Sequence, residues 1–550
     1  MRQWMVAAKK ADFYAIAEKF HVDPVVARII RNREVIGEKN IRIYLGGNLS
    51  DLSDPHQMKD MDRLVEILAQ KIRKQVHIRI IGDYDVDGVT SSHLFLTALR
   101  RVGAKVDVVI PHRIQDGYGL SLHLLQQAKE DGVDTILTCD NGIAAIDEIA
   151  WAKAQKMTVL VTDHHAVPFE EHEGRRTEKK SLADAVVNPH QQDCRYPYKE
   201  LCGAGVAWNV IRVLYENYDM DKREAEDLLD FVAMATVCDV MSLTGENRIL
   251  VKEGLKRIRH TKNIGLQALM QACNVQPENI SAYHFGYVLG PCVNATGRLD
   301  TARHALRLFE TGQETEAEEI ARDLVDLNQE RKELTLQGVE MAKKLCEEGG
   351  YENDPILVLF LPDVHESIAG LIAGRIREMY NRPVFVLTRG EEGVKGSGRS
   401  TENYSMYENM CGCAELFTKF GGHPMAAGLS LPEENVEKFR RKINENCPLT
   451  VEEVCPDIHI DMAMPVGYAS TELVHQFALL EPFGKDNPSP LFADRNLSIS
   501  RMWLIGKNRN VLRMSVLSEY GQPVPVIFFG DVETLFAYFT EKFGQEEVEN

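Results

Sequence analysis

Ile80-Ile81-Gly82-Asp83-Tyr84-Asp85-Val86-Asp87-Gly88 carries three carboxylates at alternating positions, directly after a run in which Val76, Ile78 and Ile80 alternate with polar residues. That alternation predicts a β-strand, and beyond Gly88 the apolar Leu94, Ala98, Leu99 and Val102 recur at helical spacing. The acids therefore fall on the turn between a strand's carboxyl end and a helix, which is where open α/β sheets bind ligands. Three carboxylates so close together repel. At an effective dielectric near 20, each pair about 4 Å apart costs on the order of 4 kcal/mol. Oxygen donors in this number suit hard divalent cations such as Mg²⁺ or Mn²⁺, whereas a phosphate loop would offer backbone N–H groups and a lysine. Taken alone, the stretch is equally well explained as an acidic turn on a solvated surface.

The surrounding chain weighs against that bland explanation. From Val76 to Pro189 strand-like runs alternate with helical ones, the pattern of a mostly parallel sheet covered by helices. The expected strands are Val76–Ile81, Lys105–Ile110, Thr135–Cys139, Thr158–Thr162 and Ala185–Asn188. Asp140 follows the third and Asp163-His164-His165 the fourth, so three strands end in acids or imidazoles on one rim. A single Asp at a strand end is usually a helix cap. Three such sites with adjacent histidines exceed what capping requires and match a dinuclear metal centre, which needs several carboxylates and commonly an imidazole. A further acid, Asp239, falls on the apolar stripe of an expected helix over Glu224–Met241, in register with Leu228, Val232 and Ala235. A carboxylate directed toward such a rim is a fitting last ligand.

Composition limits the alternatives. The chain has 550 residues, enough for three or four domains, and its net charge of −19 argues against blanket affinity for nucleic acid. Acids gathered around metal ions inflate that figure without repelling a substrate bound at the metals. No run approaches a membrane span or a signal peptide, and the 11 scattered cysteines suggest neither a disulfide framework nor a paired zinc site. A cytoplasmic location with reduced thiols is expected.

The motifs together resemble the RecJ family of single-strand-specific DNA exonucleases, within the DHH phosphoesterase superfamily. The matching pieces are Gly82 to Gly88, Pro111-His112-Arg113 with Gly117-Tyr118-Gly119, Thr138 to Gly142, Asp163-His164-His165, Cys202 to Trp208, and Asp239 with Leu243 to Arg248. Asn294 to Asp300, Ser397-Gly398-Arg399-Ser400 and Gly421-Gly422-His423-Pro424 to Gly428 follow in family order. The resemblance implies two divalent ions, Mn²⁺ or Mg²⁺. Asp83, Asp85 and Asp140 would hold one, and Asp87, Asp140, His164 and Asp239 the other, with Asp140 bridging. His165 would face the scissile phosphate and Asp163 would orient its neighbours. His423 would reach a phosphate oxygen from a loop over the metal site, and Ser397, Arg298, Arg375 and Arg399 would contact the DNA backbone.

The expected architecture is α/β: a helical segment over 1–70, a parallel-sheet DHH domain over 71–310, a connecting helix over 311–350, a DHHA1 domain over 351–450, and an OB-type barrel over 451–550. In the last part Trp503, Tyr520, Phe528 and Phe529 lie among Arg501, Lys507, Arg509 and Arg513. Aromatics among cations suit a single-strand platform, although core packing explains many of them as well. Asp486 stands where the family carries a second glycine, which puts that loop's backbone geometry in question. The resemblance further implies single-stranded DNA as partner, with a single-strand-binding protein and a helicase, no membrane, and a monomeric state. The rival readings are a phosphodiesterase acting on short oligonucleotides or cyclic dinucleotides, and a scaffold that has lost its ligands. Every ligand position here is filled, which disfavours the scaffold.

Overall fold

The computed structural model describes residues 4–113, 116, 119–172, 175–390, 393–506 and 510–545. They group into two compact units: Gly46–Pro456 with Pro482–Asn487, and Arg2–Leu45 with Asp457–Glu481 and Pro488–Asn550.

In the first unit, β1 (Ile78–Ile81), β2 (Val106–Val109), β3 (Thr135–Cys139), β4 (Thr158–Thr162) and β5 (Ala185–Val187) form one wholly parallel sheet in the order β2-β1-β3-β4-β5. Both faces are covered. Ile80, Leu137 and Leu160 enter one apolar core while Ile81, Ile136 and Val161 enter the other, as the two-residue period of a strand requires. The chain leaves β1 toward β2 on one side and places β3 on the other, so a crevice opens at the carboxyl ends of β1 and β3. Asp83 and Asp140 stand at those two ends.

Helix α1 (Val86–Arg101) follows β1, and α2 (Gly203–Asn217), α3 (Leu229–Cys238) and α4 (Gly290–Leu299) follow the sheet. The single helix expected over Glu224–Met241 is corrected: a short turn, Arg223–Glu226, precedes α3, and Asp239 is the residue that caps α3 at its carboxyl end. Its N–H still bonds Ala235 O at 2.9 Å, so Asp239 continues the register of the buried Leu228, Val232 and Ala235 past the end of the helix. A hairpin, Phe169–His172 with Arg175–Glu178, interrupts the expected strand-helix alternation.

The 35-residue helix α5 (Glu314–Glu348) leads to β6 (Leu357–Phe360), α6 (Ala369–Tyr380), β7 (Val384–Gly390), β8 (Gly393–Arg399), β9 (Lys419–His423) and β10 (Ala426–Leu431). These strands make a mixed sheet in the order β9-β10-β8-β7-β6, parallel only between β6 and β7. Asp486 adopts φ 59°, the left-handed conformation that a glycine would supply, so the loop keeps the backbone that the departure from the family put in question. Asn487 Nδ2 donates to Pro482 O at 2.7 Å, and Lys485 O accepts from Leu243 N at 2.9 Å.

The second unit carries an antiparallel sheet of Ile499–Ile505, Val511–Leu517 and Pro523–Phe528, then a helix, Val532–Phe543. The first residues of the chain belong here. Strand Trp4–Val6 pairs in parallel with Ile458–Ile460, and the Arg33 guanidinium makes a two-pronged contact with Asp461 at 2.7 and 3.0 Å, both side chains buried. No helix among the described residues is long and apolar enough to cross a membrane.

Candidate metal centre

Each acid at the crevice is set by the element it ends or begins. Asp85 caps α1, accepting the Gly88 N–H at 3.0 Å. Asp87, in the first turn of α1, accepts from Gly203 N at 2.6 Å and Ala204 N at 2.7 Å, the exposed donors at the start of α2. Asp140 leaves β3 with φ 62°, a conformation that costs a non-glycine residue about 1–2 kcal/mol. The neighbouring Asn141 fixes the turn, donating Nδ2 to Ile81 O at 3.0 Å and Cys139 O at 2.9 Å. Strain held in this way at the end of a strand is a mark of a functional site.

These elements gather ligand atoms into three overlapping groups, each within 4.8 Å: Asp83, Asp85 and Asp140; Asp87, His164 and Asp239; and Asp140, His164 and His165. His164 Nε2 stands 3.1 Å from Asp140 Oδ1, 3.6 Å from Asp239 Oδ2 and 3.7 Å from Asp87 Oδ2. Asp83 Oδ1 and His164 Nε2 are buried without a hydrogen-bond partner. Such atoms need a ligand of another kind. Burial, then the charge of Asp85, pushes the Asp83 carboxyl well above the usual range, and burial, then Asp87 and Asp85, raises Asp140 likewise. Asp239 is pushed up to about 8 by burial and the same two neighbours. Burial lowers His164, favouring the neutral imidazole that a metal takes. An oxygen-rich set with one neutral imidazole, two unpaired buried atoms and mutually repelling carboxylates fits two hard divalent cations.

His165 is different. Burial opposes its charge, but the hydrogen bond from Nδ1 to Asp163 Oδ1 at 2.8 Å and the charges of Asp163, Asp239 and Asp87 hold it up at about 9. Asp163 also accepts the backbone N–H groups of His164 at 2.7 Å, His165 at 3.1 Å and Ile143 at 2.8 Å, so it fixes this turn and the His165 ring.

Gly203 shows how tightly α2 is docked. A Cβ there would lie 2.6 Å from Asp140 Cβ and 2.8 Å from its Oδ1. Gly203→Ala is therefore expected to displace the central carboxylate and cut cleavage by about 10²-fold, the scale of a 1 Å misplacement. Calorimetric titration of Mn²⁺ checks this, since the variant should bind the metal more weakly while its circular dichroism spectrum is unchanged.

The chain matches the DHH family, N-terminal domain, over residues 77–236, the DHHA1 domain over 353–447 and the RecJ OB domain over 460–543. It is 34% identical to the single-stranded-DNA-specific exonuclease RecJ of Haemophilus influenzae, covering 90% of this chain and 88% of that one. The chain belongs to the RecJ family. The RecJ of Bacillus subtilis is 33% identical over 92% of this chain, which spans 63% of that protein's length. The crystal structure of RecJ in complex with Mn²⁺ from Thermus thermophilus superposes with a TM-score of 0.81 at 27% identity, covering 96% of this chain and 74% of that one. The same RecJ in complex with Mg²⁺ gives 0.74 at 26% identity, covering 96% and 73%.

Against this RecJ framework, the other sequence-derived residues divide. Arg298 and Arg399 come together with Arg113. Burial first, then Arg113, Arg331 and Arg399, lowers Arg298 to about 10, and burial, then Arg113, lowers Arg399. The charge of Arg113 acts on Asp83, and its guanidinium lies 4.9 Å from the Tyr84 ring centre. Arg298 ties α4 to the DHHA1 side by donating to Ser367 O at 2.6 Å. Ser397 and Arg113 line a cavity of about 420 Å³ with Ser367, Lys395 and Lys419. Arg375 is not brought to this place: it is exposed on α6 and pairs with Glu378 at 3.4 Å. His423 sits exposed at the turn end of the β9–β10 hairpin. Trp503 is 44% exposed in the second unit, with Arg513 opposite it in the neighbouring strand, 6.0 Å from its ring. Gly117, Tyr118, Lys507 and Arg509 lie outside the described residues. Sequence reasoning gave no role to Arg113, Lys395 or Lys419, nor to the N–H groups of Gly203 and Ala204. The quoted motifs around Arg113 and Gly203 held the signal, but only folding supplies their partners.

Proposed function

We propose that this chain is a metal-dependent exonuclease that hydrolyses single-stranded DNA from the 5′ end, in DNA repair and recombination, in the cytoplasm. The observation that carries the reading is the set of overlapping acid and imidazole groups at the crevice, with the Arg113, Arg298 and Arg399 cations beside them, in a chain of the RecJ family. Asp83, Asp85 and Asp140 would hold one cation, and Asp87, Asp140, His164 and Asp239 the second. When bound, the two ions supply an activated water and neutralise charge developing on the phosphate. The three arginines position the strand through its phosphates with planar donors. His165, aimed by the hydrogen bond of its Nδ1 to Asp163, stabilises the charge that builds on the phosphoryl oxygens. The 420 Å³ cavity between Arg113 and the DHHA1 sheet is of a size for one nucleotide of a single strand.

We place catalytic chemistry in 71–310, a DHHA1 domain over 351–450, the helix between them as spacer, and strand capture in 451–550, with the N-terminal helical segment over 1–70 divided at Leu45 between the two units. A single-strand-binding protein and a helicase are the proposed protein partners of a monomer. Trp503, Tyr520 and Phe529 are 44%, 80% and 77% exposed, which favours stacking on bases over core packing. Trp503→Ala should weaken binding of a long single strand by about 1–3 kcal/mol while cleavage of a very short oligonucleotide is unchanged. Fluorescence anisotropy with strands of two lengths reads the difference.

The deciding experiment digests 5′-labelled and 3′-labelled single strands beside a duplex and a cyclic dinucleotide in Mn²⁺. Rapid release of label from the 5′ end of single strands alone is expected. Preferential hydrolysis of the cyclic dinucleotide would overturn the proposal.

A further inference from the structure

A second cavity, of about 800 Å³, opens in the first unit at the ends of α1 and α3 remote from the metal centre. Helix α1 starts at Asp85 and Asp87 and ends at Arg100 and Arg101, which line the cavity, and 13 residues of helix place these groups ~20 Å apart. Helix α3 runs the other way, from Asp230 and Phe231 in the cavity to Asp239 at the crevice. The cavity is thus a separate place.

Its lining joins three kinds of surface. Arg100, Arg101, Lys256, Arg257 and Lys262 line it with Asp227, Asp230 and Glu310, and Lys256 is held by Glu253 at 2.6 Å. Arg101 and Arg257 are pinned by Glu224 and Glu226 at 3.1 and 2.7 Å, and Arg100 only loosely by Glu310 at 3.8 Å. At the inner end His93, Phe231 and Phe309 form one aromatic cluster, with ring centres 4.4 Å apart for His93 and Phe231 and 5.0 Å for the two phenylalanines. His93 is 6% exposed and its Nδ1 is buried without a hydrogen-bond partner. Burial, then the charges of Arg100 and Arg101, lowers it to about 3, so the ring is neutral, and only the edges of this cluster, with Phe231 and Phe309 3% and 2% exposed, meet the cavity. Thr97 and Asn263 add short polar groups on the wall.

None of this serves the metal centre, and a cavity within the usual volume range with an apolar inner end and a few polar groups is the form of a small-molecule site. We propose that it binds a nucleoside phosphate, the phosphate on the cationic rim at Arg100 and Lys262 and the base against His93, Phe231 and Phe309. A mononucleotide released by cleavage and a cellular ribonucleotide share this chemistry.

The test is calorimetric titration of the full chain with dAMP, ADP and inorganic phosphate, in chelator so that the crevice holds no cation. Saturable binding of dAMP or ADP at one site is expected, with phosphate alone at least about tenfold weaker because it lacks the base. Tighter dAMP identifies the released nucleotide as occupant, and tighter ADP a cellular one. The exposed double variant Arg100→Glu with Lys262→Glu should weaken binding at least about tenfold. Arg298→Ala, in the cluster beside the metals, should leave it within about twofold of wild type. Absence of saturable binding, equal affinity for phosphate, or loss of binding in Arg298→Ala but not in the double variant would each overturn the proposal.

Discussion

Replacing Asp140 by alanine is expected to lower single-strand cleavage by more than about 10³-fold while the chain stays folded, because in the proposed ligand assignment this carboxylate would serve both cations and its loss would damage two sites together. Asp140 Oδ1 lies 3.1 Å from His164 Nε2, and Asp140 groups both with Asp83 and Asp85 and with His164 and His165. The fold has reason to tolerate the change. Burial and the charges of Asp87, Asp85, Asp239 and Asp83 all disfavour an ionised Asp140, so its removal relieves repulsion. That relief offsets the left-handed cost of roughly 1–2 kcal/mol that alanine would carry at this position. The metal-free variant should therefore melt no lower than the metal-free wild type, whereas added Mn²⁺ should raise the wild-type melting temperature much more than the variant's. Differential scanning calorimetry beside a timed digest reads both effects. A cleavage rate within about tenfold of wild type at saturating Mn²⁺ would show that the two cation sites do not act through a shared ligand.

The second large effect separates two adjacent histidines. His164 presents Nε2 to three carboxylates, while His165 points its Nδ1 at Asp163, with the two ring centres 4.3 Å apart. His164→Ala is expected to weaken binding of one cation, with activity partly rescued by raising Mn²⁺, since mass action refills a damaged site. His165→Ala is expected to leave metal affinity within about twofold and to slow cleavage by about 10²–10³-fold, the scale of losing one stabiliser of transition-state charge. Calorimetric titration of Mn²⁺ into each variant, with single-turnover cleavage, distinguishes them. Equal losses of metal affinity would end the division of labour and pass the phosphate-facing role to Arg113, Arg298 or Arg399.

Much of the centre was legible because its residues lie at ends of elements with clear periodicity. Val76, Ile78 and Ile80 mark β1, the apolar spacing after Gly88 marks α1, and the parallel sheet carries Asp83, Asp140 and His164 to one rim whatever the remaining packing. The stripe of Leu228, Val232 and Ala235 is buried as its spacing implies, and Asp239 keeps its register although α3 ends one residue before it. Helical spacing does not tell which face of α6 meets the crevice, and Arg375 is exposed beside Glu378. Arg113 was quoted without a role because its partners, Tyr84, Asp83 and the DHHA1 sheet, are distant in sequence.

By itself the sequence determined the parallel sheet, its order of motifs and the chemistry of the ligand set, because alternation, helix spacing and residue type are local properties of the chain. Only the tertiary structure decided that Asp87 is spanned by the N–H groups of Gly203 and Ala204, that Gly203 must lack a side chain beside Asp140, and that Asp486 keeps a glycine-like backbone. It also decided that strand Trp4–Val6 pairs with Ile458–Ile460, more than 400 residues away. Those contacts depend on which surfaces meet after burial of the cores, and the free energy of such meetings is carried by packing and by buried donors finding acceptors, neither of which leaves a periodic trace in the sequence.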